Sequence, residues 1–291
     1  MTLSFNPVSI NDRERYIRIL EHVQMPGCGY AFGNLFTWAH GFDTAIAFDG
    51  DTAAVRTCSG GCCYSAPFCS TDIVGYINSL PRTQGELKLF CLERQYRDAL
   101  CRCMPGHFEF TPVRDLYDYV YLREELAQLP GRRYHKKKNH FAGFVKNYSF
   151  KYEELDSSNI EECLAFSEAW SDANVQYGRE AIENERLAVR KAFEYYRQLG
   201  YVGAALRVDG NIVAYCTGER LNSEVFCTHF EKALPEYTGA YAAINKLFAE
   251  NHLCSYKYVN REDDTGDDGL RQAKLSYHPA ILLEKYNARG K

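Results

Sequence analysis

Two stretches at corresponding places in the two halves of the chain echo each other: Ala45-Ile46-Ala47-Phe48-Asp49-Gly50 and Ala205-Leu206-Arg207-Val208-Asp209-Gly210. Each is an apolar run closed by Asp-Gly and followed by a second run, Thr52–Thr57 or Ile212–Thr217, the pattern of a tight β-hairpin. Around the first hairpin, Tyr16, Ile19, Leu20 and Val23 share one face of a helix over Asp12–Val23. A helix at Thr71–Ser79, a strand at Leu87–Leu92, a helix at Gln95–Cys103 and strands near Phe108 and at Tyr117–Leu122 follow. Around the second, helices at Ser158–Ser171 and Ala181–Leu199 precede the hairpin. A strand at Val225–Phe230, a helix at Ala240–Asn251 and strands at Tyr256–Val259 and Ala280–Lys285 come after it. The order reads as an α/β protein with mixed sheets, and its repetition is what an old duplication would leave behind. The breaker Leu129-Pro130-Gly131 puts the boundary there, giving domains 1–129 and 130–291.

The 291 residues suit two cores rather than one. No run of about 18 apolar residues occurs, which predicts no membrane span. Met1–Ile10 has neither the basic start nor the apolar stretch of a secretory signal, so the expected location is the cytoplasm. A net charge of −4 argues against general attraction to nucleic acid and against DNA as a partner. The twelve cysteines read as small buried hydrophobes. Cys58-x3-Cys62 is the nearest approach to a metal pair and has no second pair to answer it, so neither a metal site nor a disulfide is expected. Charge is nevertheless uneven. Arg132, Arg133, Lys136, Lys137, Lys138 and Lys146 fall in 132–146 without one acid, while Glu262, Asp263, Asp264, Asp267 and Asp268 crowd the later segment.

Two segments carry a family resemblance: Leu129-Pro-Gly-Arg-Arg-Tyr-His-Lys-Lys-Lys-Asn-His140, and the tail from Tyr258-Val-Asn-Arg-Glu-Asp-Asp through Gly269-Leu270, Lys274 and Pro279. Both resemble the phosphatidylglycerol lysyltransferase C-terminal domain-like family, bacterial proteins with two GNAT (acyl-CoA N-acyltransferase-like) domains in tandem. The resemblance implies that fold over nearly the whole chain. It also implies transfer of an acyl or aminoacyl group from acyl-coenzyme A or aminoacyl-tRNA to an amine or hydroxyl of a small molecule. The lysyltransferases proper carry a long membrane-spanning N-terminal region that is not seen here, so an acceptor other than a lipid is expected.

A GNAT-type fold parts two central strands and holds the reacting carbonyl in the gap. Donor phosphates then rest on free amides at the start of the next helix. The strand Val225–Phe230 and the loop Pro235–Ala242 would supply these parts. Gly239, Ala240 and Ala242 are small enough to let phosphate oxygens approach, and Tyr241 lies among them. The coenzyme A signature R/Q-x-x-G-x-G/A is met only in part, with Glu236 in its first position and Tyr241 in its last.

For the base, strand alternation puts Cys227, His229 and Glu231 on one face, with His229 and Glu231 the catalytic candidates and Cys227 read as structural. A basic linker helix over 132–147 would offer Arg133, Lys136, Lys137 and Lys138 to phosphates and dock through Phe141, Phe144 and Val145. Asn260, Arg261, Glu262 and Asp264 lie in a polar loop after a strand, and Arg271 and Lys274 are spaced to share one anion. These six are the substrate-binding candidates. The expected function is an acyl- or aminoacyltransferase with coenzyme A, acyl-coenzyme A or tRNA as donor. The alternative is a non-catalytic protein that keeps the fold and senses a phosphorylated or amino-acid metabolite.

Overall fold

The computed structural model describes residues 3–58, 61–65, 72–82, 85–174 and 178–290, apart from the side chain at position 179; Thr71, the expected start of one helix, and Met1 lie outside these. In chain order the strands are β1 (Asn6–Pro7), β2 (Ala45–Asp49), β3 (Thr52–Thr57), β4 (Cys63–Tyr64), β5 (Lys88–Glu93), β6 (Phe108–Pro112), β7 (Asp118–Leu122), β8 (Phe150–Glu154), β9 (Val202–Val208), β10 (Asn211–Arg220), β11 (Val225–Ala233), β12 (Tyr258–Asn260), β13 (Ile281–Leu283) and β14 (Lys285–Gly290). The helices are α1 (Arg13–Leu20), α2 (Phe32–Thr37), α3 (Ala39–Phe42), α4 (Ile73–Ser79), α5 (Arg94–Cys103), α6 (Arg123–Gln128), α7 (His135–Asn147), α8 (Ile160–Asn174), α9 (Arg179–Glu194), α10 (Ala240–Asn251) and α11 (Asp268–Leu275). Among the described residues, no helix is long and apolar enough to cross a membrane.

Both hairpins form. In the second, Val208 pairs with Asn211 around Asp209 (φ 49°) and Gly210 (φ 85°), two left-handed residues that match the strand twist. In the first, Asp49 pairs with Thr52, so the loop is Gly50-Asp51 rather than the expected Asp49-Gly50.

The strands make two mixed seven-stranded sheets, in the orders β1-β2-β3-β4-β5-β14-β6 and β8-β9-β10-β11-β12-β7-β13. Position by position the orders correspond: a hairpin third strand runs into a parallel pair, β4 with β5 and β11 with β12. The sixth place in each sheet belongs to the other half of the chain. β7 leaves the first half to pair with β12 and β13, and β14 returns from the end to pair with β5 and β6. The expected division at 129/130 therefore does not separate the sheets. Hydrophobic pattern identifies a strand, but its partner is set by contacts far away in sequence.

The core is also shared. Phe32, Leu35 and Phe36 of α2 lie in one buried cluster with Val189, Ala192 and Phe193 of α9 and Tyr215 of β10. The other face of the second sheet packs on α6, α7 and α10 through Leu126, Phe144, Ile244 and Phe248. Val145, expected to help dock α7, faces solvent instead. Cys58 and Cys62 form a disulfide, against the expectation of free thiols; Cys58 follows β3 and Cys62 precedes β4, with Cα atoms 4.0 Å apart.

The exchanged strands are tied where they begin. Asp118 of β7 and Lys285 of β14 form an ion pair, with side chains 0% and 3% exposed. Asp118 Oδ2 also accepts from Asn260 Nδ2 (2.9 Å) and the Cys28 amide (2.7 Å). Burial alone would raise the Asp118 carboxyl, but Lys285 and these donors bring it below its ordinary value. Deleting one member strands a charge in the core, at a cost of about 3–5 kcal/mol. Lys285→Met should accordingly lower the free energy of unfolding in denaturant by that order, and adding Asp118→Asn should restore most of it. Equal stability of Lys285→Met and wild type would disprove the clamp.

Candidate functional site

The parallel pair β11–β12 lasts only from Val225↔Tyr258 to Cys227↔Asn260. Beyond that, β11 runs on to Ala233 while the other chain turns away. Asn260 Oδ1 caps the turn by accepting from the Glu262 amide (2.8 Å), and Glu262 takes φ 61°. The result is a wedge-shaped parting in the middle of the second sheet.

A β-bulge lies at its edge. Thr217 pairs with Phe230 but Gly218 pairs with Thr228, leaving His229 as the extra residue. Gly218 permits this because a Cβ there would fall 1.9 Å from the Cys227 carbonyl oxygen. A bulge re-aims side chains, and it breaks the alternation expected for 227, 229 and 231. Cys227 and His229 turn to the face covered by α2, whereas Glu231 turns to the face covered by α10.

On the first face, His229 Nδ1 lies 2.8 Å from Glu262 Oε1 and Nε2 lies 3.1 Å from Glu219 Oε1. Glu219 Oε1 also accepts from the Gly33 amide (2.6 Å), and Glu262 Oε1 from Asn34 Nδ2 (2.7 Å). Burial pushes the imidazole pKa down, but hydrogen bonds and charge from the two carboxylates outweigh it and hold it at about 9. His229 is thus an imidazolium at neutral pH and has no vacancy for a proton. The expected base is a clamped cation.

On the second face, Glu231 accepts from Arg261 Nη2 (2.8 Å) and Asn245 Nδ2 (3.1 Å), so it too is engaged. Arg261 lies over Tyr277 and Tyr121, and its Nη1 is buried without a hydrogen-bond partner among the described residues. The same holds for Oδ1 of the buried Asn245. Lys137 Nζ reaches in from α7 to 3.9 Å over the Tyr277 ring. Its burial, then the charge of Arg261, lowers its pKa to about 8.

The remaining expected residues are distributed unevenly. Asp264 is fully buried and takes two hydrogen bonds from Arg271 (2.9 and 2.7 Å), one from Arg114 and one from Tyr119. Lys274 Nζ donates to the carbonyls of Arg261 (2.6 Å) and Asp263. Arg271 and Lys274 are therefore spent in holding the loop rather than poised over an anion. Gly239 caps α10 at φ 93°, where a Cβ would meet the His140 carbonyl oxygen at 2.3 Å, so this glycine lets α7 pass. Ala240 and Ala242 are buried and Tyr241 is exposed. Lys136 and Lys138 are exposed on α7, and Arg133 pairs with Glu125. Asn34, Glu219 and Asn245 escaped the sequence reading, since no local motif marks them. Two cavities of about 220 and 270 Å³ are lined by none of these candidates; the second is lined in part by Tyr201, whose ring is 5.3 Å from that of His229.

The family model "Phosphatidylglycerol lysyltransferase, C-terminal" matches residues 20–289. A conserved protein of unknown function from Bacteroides thetaiotaomicron superposes with a TM-score of 0.95 at 33% identity over 100% of both chains. L-PGS from Bacillus licheniformis superposes at 0.63 and 14% identity, over 95% of this chain and 91% of that one. The mixed two-sheet fold is that of tandem GNAT proteins, one from the clavulanic acid biosynthesis pathway aligning at 0.50 and 10% identity over 99% of this chain and 98% of its own. An uncharacterized protein of Mycoplasmoides gallisepticum is 26% identical over 177 residues, 58% of this chain; the match spans about half, 54%, of that relative.

The clamp on His229 makes a direct prediction. A folded-state pKa of about 9 against an ordinary 6.5 means that its stabilising contribution is whole below pH 6.5 and is lost as pH rises through 9. In metal-free protein the ring should titrate near pH 9 by NMR, and the Glu262→Gln variant should titrate lower. A midpoint near 6.5 in the wild type would contradict the clamp.

Proposed function

The chain belongs to the phosphatidylglycerol lysyltransferase C-terminal family, and from that premise we propose that it transfers an acyl or aminoacyl group from a phosphate-bearing donor at the parting of β11 and β12. The observation that carries this reading is the pair of orphaned buried atoms there, Arg261 Nη1 and Asn245 Oδ1, beside the low-pKa amine of Lys137. An unpaired guanidinium N–H in a water-poor gap is what stabilises the oxyanion of a tetrahedral intermediate. Asn245 Oδ1 can accept from the incoming amine or hydroxyl and orient it.

In this scheme the acceptor attacks the carbonyl carbon and its proton passes to neutral Lys137 Nζ. The carbon–oxygen or carbon–sulfur bond to the donor then breaks, and the departing atom takes the proton back. Lys137 suits the role because a base with pKa near the working pH is most effective, whereas His229 is already protonated and Glu231 is ion-paired. Glu236 is exposed near the start of α10, where an acid disfavours a coenzyme A pyrophosphate. The exposed Lys136 and Lys138 on α7 suit a longer polyanion, so aminoacyl-tRNA is favoured over acyl-coenzyme A. The sensing alternative draws on the same engaged His229 and Glu231, which leave Lys137 as the sole base of the scheme.

Single-turnover assays with aminoacyl-tRNA and acyl-coenzyme A against small amines and alcohols test the proposal. Lys137→Met should slow transfer by about 10²–10⁴-fold with donor affinity little changed, and the wild-type rate should rise with pH to a plateau above about 8. A donor that binds but is never consumed would favour the sensing alternative. In a separate titration, Lys136→Ala with Lys138→Ala should weaken tRNA binding and flatten its dependence on salt, roughly one unit of slope per lost phosphate contact. Affinity indifferent to salt would exclude that face of α7.

A further inference from the structure

Cys227, His229 and Glu262 bring a thiol sulfur, an imidazole nitrogen and a carboxylate oxygen within 4.8 Å of one another on the α2 face of the parting. We propose that this trio is a binding site for a divalent transition ion of the zinc type. The inference is independent of the transferase reading and does not require catalysis.

Thiolate, imidazole and carboxylate are the ligands zinc takes, at about 2.3 Å from sulfur and about 2.0–2.2 Å from nitrogen or oxygen. Tetrahedral placement at those distances separates the ligand atoms by roughly 3.3–3.6 Å. Glu262 Oε1 is now 3.8 Å from Cys227 Sγ and 2.8 Å from His229 Nδ1, each within about 0.6 Å of the tetrahedral separation, and all three ligand atoms lie within 4.8 Å of one another. The outer shell is built as metal sites require. A ligating imidazole normally gives its second N–H to a carboxylate; here Nε2 faces Glu219 Oε1, which the Gly33 amide fixes. Asn34 Nδ2 donates to the same Glu262 Oε1 (2.7 Å) and so helps fix that carboxylate, and Glu219 Oε2 is fully buried with no partner among the described residues.

Charge balance also permits binding in a buried place. The entering dication displaces one proton from the Nδ1 position of the imidazolium and one from the Cys227 thiol, so the net charge does not change. An ion lowers the pKa of a coordinating thiol enough to ionise it outright, which overcomes the burial that otherwise keeps Cys227 protonated. Glu262, with its side chain 24% exposed, provides the way in, while His229 is only 1% exposed. A second trio, Cys28, Asp118 and Asp263, is less suited, because the Lys285 ammonium already stands 3.3 Å from Cys28 Sγ and pairs with Asp118. The bound ion would join β11 to the loop after β12 and so set the width of the parting.

The test uses the full chain, reduced and stripped by a chelator, then equilibrated with zinc or cobalt(II) and desalted. One equivalent of zinc should be retained, the melting temperature should rise with zinc concentration, and cobalt should give a thiolate charge-transfer band. Cys227→Ala and Glu262→Gln should each lose the equivalent and the zinc-dependent rise in melting temperature, and Cys227→Ala the band as well. Asn34→Ala should weaken binding about 10–100-fold. Glu262→Gln, at a half-buried position, covers the case in which Cys227→Ala does not fold. No retained zinc in the wild type would overturn the proposal, as would a cobalt–thiolate band that survives in Cys227→Ala or zinc retention unchanged in Glu262→Gln.

Discussion

The structure depends on the crossing of two strands at a single buried ion pair. β7 and β14 are the last strands of their halves, and each completes the other half's sheet. Asp118 and Lys285 stand at their starts, out of contact with water, and Asn260 and the Cys28 amide share the same carboxylate. Two buried charges are tolerable only because each is the other's counter-ion and the spare lone pairs are filled. The exchange makes the halves inseparable, and it places β7 beside β12, the strand that ends at the parting.

From that crossing the candidate site follows in sequence. Asn260 binds Asp118 with its amide nitrogen and caps the turn into Glu262 with its oxygen. The same side chain therefore links the clamp to the loop that opens the sheet. The bulge at His229 forms the other lip. The parting then has two unlike faces: one with an imidazolium between carboxylates, the other with an arginine, an asparagine and a lysine that retain unused hydrogen-bonding capacity.

Much of the local structure was legible because it depends on near neighbours. β3, β9 and α10 begin and end within a residue of the pattern in the sequence, since alternation and helical spacing report which face is buried. The candidates His229, Glu231, Arg261 and Glu262 line the same parting but on opposite faces of the sheet, His229 with Glu262 and Glu231 with Arg261. Their roles were not legible. One extra residue opposite Gly218 reverses the face of Glu231, and nothing in Val225–Ala233 announces it. Asn34 and Glu219 come from segments far from the loop they support, and Lys137 is distinguished from Lys136 and Lys138 only by a helix rotation that points it at Tyr277.

By itself the sequence determined the repeated hairpin, the elements next to it such as β11 and α10, and the two segments that mark the family, because each is written in contiguous residues; it did not mark α2, β8 or β14. Only the tertiary structure decided which sheet β7 and β14 join, that His229 stands between Glu219 and Glu262, and that Arg271 and Lys274 brace the loop. Those outcomes turn on electrostatic partners and strand neighbours brought together from distant parts of the chain. Burial magnifies each such contact, and burial is a property of the assembled fold.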